Sequence, residues 1–181
     1  MWDAVHGALR RANRLVALLL GAALMAVTVF ILFEVAARKL GTGTIGGSEE
    51  ISAYVMAALS SWGLACALAE RAHVRIDYIR QKLAEPGRVL MDLFAMVVTN
   101  ATVILIAVKC WPVLEKTLKR GSTANTVLET PMWIPQGIWF AGWIWFAATA
   151  TLVTLAGIAF FLDGRRDALD RAIGMGSELD Q

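Results

Sequence analysis

The side chains able to do chemistry in this sequence are few and widely spaced. Glu34 is the single acid inside an apolar run from 15 to 37. An ionisable group held in a membrane span is costly, and it is a candidate proton or ion carrier by default. Arg38 follows four residues later, and acid before base at i,i+4 is the favourable order for a helical ion pair. Because Glu34 falls near the end of its run, the spacing favours a structural pair over a proton site. Glu49 and Glu50 follow Ser48 at the start of the next apolar run. A capping hydroxyl and acids in the first turn would complement a helix N-terminus. The densest group lies mid-chain, in E-R-A-H-V-R-I-D-Y-I-R-Q-K-L from Glu70 to Leu83. There His73 stands among Arg71, Arg75 and Asp77, and an imidazole in such company can bind a ligand or carry a proton near neutral pH. Asn100, between Thr99 and Thr102, could contact a transported group, although hydrogen bonding between helices is the commoner use of such residues in spans.

These groups do not assemble into an enzyme. A membrane haem protein needs axial ligands, commonly histidines within its spans, and His6 and His73, the two histidines, lie outside every apolar run. No Ser-His-Asp set or metal-ligand cluster can be built from the remainder. Cys66 and Cys110 fall near opposite membrane faces, too far apart for a disulfide, which needs Cα atoms within about 7 Å. The glycines of G-T-G-T-I-G-G, from Gly41 to Gly47, lack a following G-K-[ST] and read as a turn rather than a phosphate cradle. No catalytic residue, cofactor or metal is expected.

The elements that must position these residues are membrane helices. The chain is 57% hydrophobic, above the roughly 45–50% of a soluble domain. Four runs approach or exceed the ~20 apolar residues that cross a bilayer: 15–37, 51–69, 93–113 and 136–162. The first is too long for a signal-peptide core of about 7–15 residues and is expected to be retained. In the second, Ala53, Ala57, Ser61, Ala65 and Ala69 form a stripe of small residues that permits close helix approach. Between the second and third runs, Val74, Ile76, Ile79 and Leu83 recur at helical spacing among the charges. A segment so charged and amphipathic lies along a membrane rather than across it, which predicts an interfacial helix over 73–85 ended by Pro86-Gly87. Trp133, Trp139, Trp143 and Trp145 crowd the start of the last run, at the level of one headgroup layer. The expected fold is an all-α membrane protein of one domain, residues 1–181, with four spans in two hairpins.

Basic residues set the orientation. With both termini inside, eleven Lys and Arg fall on inner segments and six on outer ones, so N-in, C-in is favoured. The mid-chain charged segment is then cytoplasmic, and the loop from Leu114 to Thr130 is external. The net charge of +2 follows this topology and forms no patch for nucleic acid.

In order, E-V-A-A-R-K-L, S-E-E-I-S-A-Y, S-W-G-L-A-C-A with its Trp62, A-H-V-R-I-D-Y and G-S-T-A-N-T-V-L-E-T-P-M-W resemble the small membrane subunit of tripartite ATP-independent periplasmic (TRAP) transporters. The resemblance covers most of the chain, including the four-span layout. It departs where Gly46-Gly47 stands, since the family often has a tryptophan before the acidic pair. What it implies is a non-catalytic accessory subunit in the bacterial inner membrane. Its partners would be a large multi-span subunit, a periplasmic solute-binding protein and membrane lipid, in sodium-coupled import of an organic acid. On this reading Glu34, Arg38, Glu49 and Glu50 brace the outer corner, and Ala57, Ser61 and Trp62 pack against a neighbouring helix. Arg71, His73, Arg75 and Asp77 brace the cytoplasmic corner. The alternative is a self-sufficient four-helix transporter acting as a homodimer through Glu34.

Overall fold

The computed structural model describes residues 2–41, 43, 46–70, 82 and 85–164, with the side chains of 2–6 and 85 excepted. Four long helices account for nearly all of them: α1 (Trp2–Lys39), α2 (Ser48–Ala69), α3 (Glu85–Arg120) and α4 (Trp133–Leu162). Each is long and apolar enough to cross a membrane. At 1.5 Å per residue, α2 is about 33 Å long and matches a hydrocarbon core of about 30 Å, whereas α1 at about 57 Å overruns it. Among the described residues the fold is all-α, and its one β feature is an isolated bridge between Thr123 and Pro131.

Several boundaries differ from the sequence expectation. Helix α1 begins well before residue 15, where the first apolar run starts, and takes in the basic residues ahead of it. Pro86 lies inside α3 as described from Glu85, and residues 83 and 84 before it are outside the described residues. Pro112 sits inside α3 without ending it, and the helix continues to Arg120, well into the stretch expected to be loop. Helix formers after the proline sustain it, including a Glu115–Lys119 pair one turn apart. The interfacial helix expected over 73–85 falls largely on residues 71–81, 83 and 84, which lie outside the described residues; so do Arg71, His73, Arg75 and Asp77.

The helices form an open row rather than a closed bundle. α1 packs on α2, α2 on α4, and α4 on α3, while α1 only brushes α4. Helix α3 meets α4 alone among the described helices. A narrow seam carries α1: Leu9, Asn13, Val27 and Glu34 are buried, with Val16, Leu20, Ala23 and Phe30 half-buried between them. That alternation of three and four residues keeps one edge of a helix on its neighbour, as in a left-handed coil. Most of the rest of α1, from Leu15 and Leu18 to Phe33 and Val35, is exposed.

Helix α4 sits inside the row and is buried most. Phe146, Ala150, Val153, Ala156 and Phe160 join Ala65 and Leu68 of α2 and Met96 and Val103 of α3 in one core. The closest approach is at Gly142, where an added Cβ would press on Ser61 Oγ and lie 2.6 Å from Trp62 Cδ1. Without a hydrophobic drive in lipid, such backbone proximity is what holds helices together. The small-residue stripe is therefore used in part. Ser61 and Ala65 are wholly buried, Ala57 and Ala69 are half-buried, and Ala53 is exposed.

Candidate functional site

Polar side chains gather at the two ends of the row. The C-terminal end of α1, the N-terminal end of α2 and the loop between α3 and α4 form one corner. Glu34 is only 3% exposed there, and its Oε1 accepts a hydrogen bond of 3.1 Å from the guanidinium of Arg38. The i,i+4 pair expected from spacing is present. The carboxylate is nonetheless buried rather than at the rim. Ser48 stands beside it, yet Oε2 has no partner in hydrogen-bonding geometry among the described residues.

Helix α2 opens differently from the expectation. Its cap is Gly47, in the left-handed region at φ 85°, with no side-chain cap bond; Ser48 is the first helical residue and is buried. Glycine is needed here twice over. The φ value disfavours any side chain, and a Cβ at Gly47 would approach Leu128 Cδ1 to 2.7 Å. The Gly46-Gly47 pair is thus the seat on which the α3–α4 loop rests, Val127 lying over Gly46 and Leu128 over Gly47.

Glu50 fastens that loop. Its Oε1 accepts a 2.6 Å hydrogen bond from Tyr54, and its Oε2 accepts one from the Thr126 hydroxyl. Glu50 is buried, so both oxygens need donors, and one comes from the loop itself. The loop also closes on itself. Ala124 N–H donates to Thr130 O at 2.9 Å and Met132 N–H to Ser122 O at 3.0 Å, while Glu129 takes a positive φ of 46°. A cavity of about 280 Å³ remains between these parts, lined by Glu34, Arg38, Gly46 to Glu50, Thr126 and Val127.

A second polar knot lies at the other end. Asn13 is buried on α1; its Oδ1 accepts a 2.9 Å bond from Trp145 Nε1, and its carbonyl accepts the Cys66 thiol at 3.3 Å. Nearby in sequence on both helices, Arg10 and Glu70 form an exposed ion pair at 3.1 Å. From Asn13 to Glu34 is about 32 Å along α1, close to the hydrocarbon thickness. The two polar knots therefore bracket the apolar band. Sequence reading missed the Asn13 knot: a lone Asn among arginines carries no periodic signal, and only the packing of α4 reveals its partner.

Of the other expected residues, Glu49 is exposed at the edge of the cavity. Trp62 donates its Nε1–H to Ile138 O at 2.9 Å and stacks on Trp145 with centroids 6.4 Å apart. Ala57 supplies a carbonyl to the Ser60 and Ser61 hydroxyls. Asn100 Oδ1 accepts a 3.0 Å bond from Thr151 of α4, the interhelical use its setting favours. Cys66 and Cys110 are both free thiols. Among the described residues no group of three or more His, Cys, Asp or Glu could hold a metal ion.

The geometry thus provides spans, braces and a docked loop. Residues 27–159 match the family model described as tripartite ATP-independent periplasmic transporters, DctQ component. No curated protein and no solved structure matches the chain significantly. The matched stretch runs from the middle of α1 through nearly all of α4 and takes in the Glu34 corner, the Gly142 crossing and the docked loop. With most of its length covered, this chain belongs to the DctQ family, the small membrane component of tripartite ATP-independent periplasmic transporters.

Proposed function

We propose that the chain is the non-catalytic scaffold of a sodium-coupled importer of an organic acid. In it the chain would clamp a large multi-span subunit and help to receive a periplasmic solute-binding protein. The observation that carries the scaffold reading is the open row. Helix α1 gives one seam to α2 and leaves its remaining apolar faces uncovered, and α3 leans on α4 alone among the described helices. A small subunit so built has lateral faces for a larger membrane partner, and buried small residues that hold its own helices in register. Both termini are cytoplasmic on this reading, in the bacterial inner membrane, and the corner at Glu34 and Thr126 faces the periplasm, as the distribution of Lys and Arg favours. Arg71, His73, Arg75 and Asp77 brace the cytoplasmic side against headgroups or the large subunit.

The homodimeric alternative depends on Glu34 as a proton carrier. Its hydrogen bond to Arg38 favours a standing ion pair instead. The deciding experiment expresses the chain alone and with its large and periplasmic partners, then measures uptake of organic acids into proteoliposomes. Sodium-dependent uptake only with all three components is the expected result. Transport by the isolated chain would refute the scaffold role. For the cytoplasmic brace, Arg71→Ala and Asp77→Ala should reduce co-purification of the large subunit, and unchanged recovery would remove it.

A further inference from the structure

Carboxylates outnumber cations around the corner cavity: Glu34, Glu49 and Glu50 line it against Arg38 alone. Glu50 already takes hydrogen bonds from Tyr54 and Thr126 on its two oxygens. Glu34 is different. Its side chain is 4% exposed, one oxygen is held by Arg38, and the other, Oε2, has no hydrogen-bond partner among the described residues. A buried carboxylate oxygen without a donor is costly. The cavity it lines therefore has room for one more donor at Glu34, and three carboxylates against one guanidinium favour a positively charged one.

The chemistry of the walls narrows what that donor is. Water, or a small shift of the neighbouring Ser48, would supply a hydrogen bond but leave the surplus of carboxylates on the lining uncompensated. A metal ion needs several converging ligands, and among the described residues no group of three or more His, Cys, Asp or Glu is arranged to hold one. The space of about 280 Å³ is also far larger than the roughly 30 Å³ of one water, so it suits a group on a stem. Glu34 has a single oxygen open, which matches the compact ammonium of lysine rather than the two-point fork of arginine. The surroundings fit a protein contact. Val127 on the lining is 80% exposed, and Leu40, two residues beyond Arg38, is 77% exposed. Apolar residues around a desolvated charged centre are the usual layout of a binding hot spot. These residues stand on loops at the helix ends, so the approach is from water rather than sideways through lipid.

We propose that this cavity receives a lysine side chain of the soluble periplasmic component as it docks on the α3–α4 loop. The proposal rests on the scaffold reading and on the orientation that puts this corner outside. The test measures binding of the soluble component to the intact membrane complex in nanodiscs at several salt concentrations. Two variants are compared with wild type: Glu34→Gln, which removes the buried charge, and Glu49→Lys, an exposed charge reversal that leaves the core untouched. Glu49→Lys should weaken binding about tenfold or more and flatten its salt dependence, with Glu34→Gln weakening it several-fold. A Lys→Glu scan of the soluble component should find one position that restores binding to Glu49→Lys. Wild-type affinity in both variants would overturn the proposal, as would release of the large subunit in place of the soluble one. Stabilisation of the isolated chain by sodium or calcium chloride, over choline chloride of equal ionic strength, would reassign the cavity to a metal. Failure of the wild-type complex to bind the soluble component at all would overturn the scaffold reading along with it.

Discussion

Gly142→Ala is the substitution whose cost can be worked most directly from the structure. The new methyl would press on Ser61 Oγ and meet Trp62 Cδ1 at 2.6 Å and Ser61 Cβ at 2.7 Å. The hydroxyl can rotate, but the Ser61 Cβ cannot, and Trp62 is held by its bond to Ile138 O and its stack on Trp145. Helices α2 and α4 must therefore separate, an overpacking that costs about 1–3 kcal/mol. Alanine recovers about 1 kcal/mol through helix propensity, so the net loss is about 0–2 kcal/mol. Gly63→Ala is the internal control: it lies on α2 beside the crossing, nothing stands within 4 Å of its Cβ, and it should be neutral or stabilising. Helix propensity cancels between the two variants, which should thus differ by about 1–3 kcal/mol, read as unfolding free energy of the chain purified in detergent. Ser61→Gly should rescue Gly142→Ala, giving a coupling between neighbours that independent sites do not show. Equal stability of Gly142→Ala and Gly63→Ala would refute the close α2–α4 crossing on which the packing argument depends.

Other contacts give their own expected outcomes. Thr126→Val should free the α3–α4 loop, because it removes a donor to the buried Glu50; a cost of about 1–3 kcal/mol should raise amide exchange at residues 121–132 without altering the helices. Gly47→Ala should do the same through strain and contact with Leu128, and Leu128→Ala should relieve only the contact part, leaving the φ penalty of about 1 kcal/mol. Trp145→Phe should leave Asn13 Oδ1 with only the long Cys66 thiol contact, lower stability by about 1–3 kcal/mol and make Cys66 react faster with a membrane-permeant maleimide.

The sequence determined a good deal of this protein by composition and local spacing alone. Four helical spans follow from apolar runs, because a backbone in hydrocarbon must satisfy its own hydrogen bonds. The Glu34–Arg38 pair follows from i,i+4 geometry, and the tie from Asn100 to another helix follows from the scarcity of partners in lipid. The family was legible in the order of short motifs. Helix ends were less so. Pro86 reads as a break, yet it lies within α3, and Pro112 shows that a proline inside a long membrane helix is tolerated.

What only the tertiary structure decided is which distant residues meet. Helices in lipid lack a hydrophobic force that would order them, so periodicity names a packing face without naming its partner. Gly142 against Ser61, Asn13 under Trp145, and Thr126 on Glu50 are separated by 76 to 132 residues, and no local pattern links them. Ser48 reads as a cap because hydroxyls commonly are; Gly47 takes the place because Leu128, from a loop far along the chain, leaves no room for a side chain. The same arrival of the loop turns four charged residues into a walled corner. Spacing alone could pair Glu34 with Arg38, but it could not bury the second oxygen.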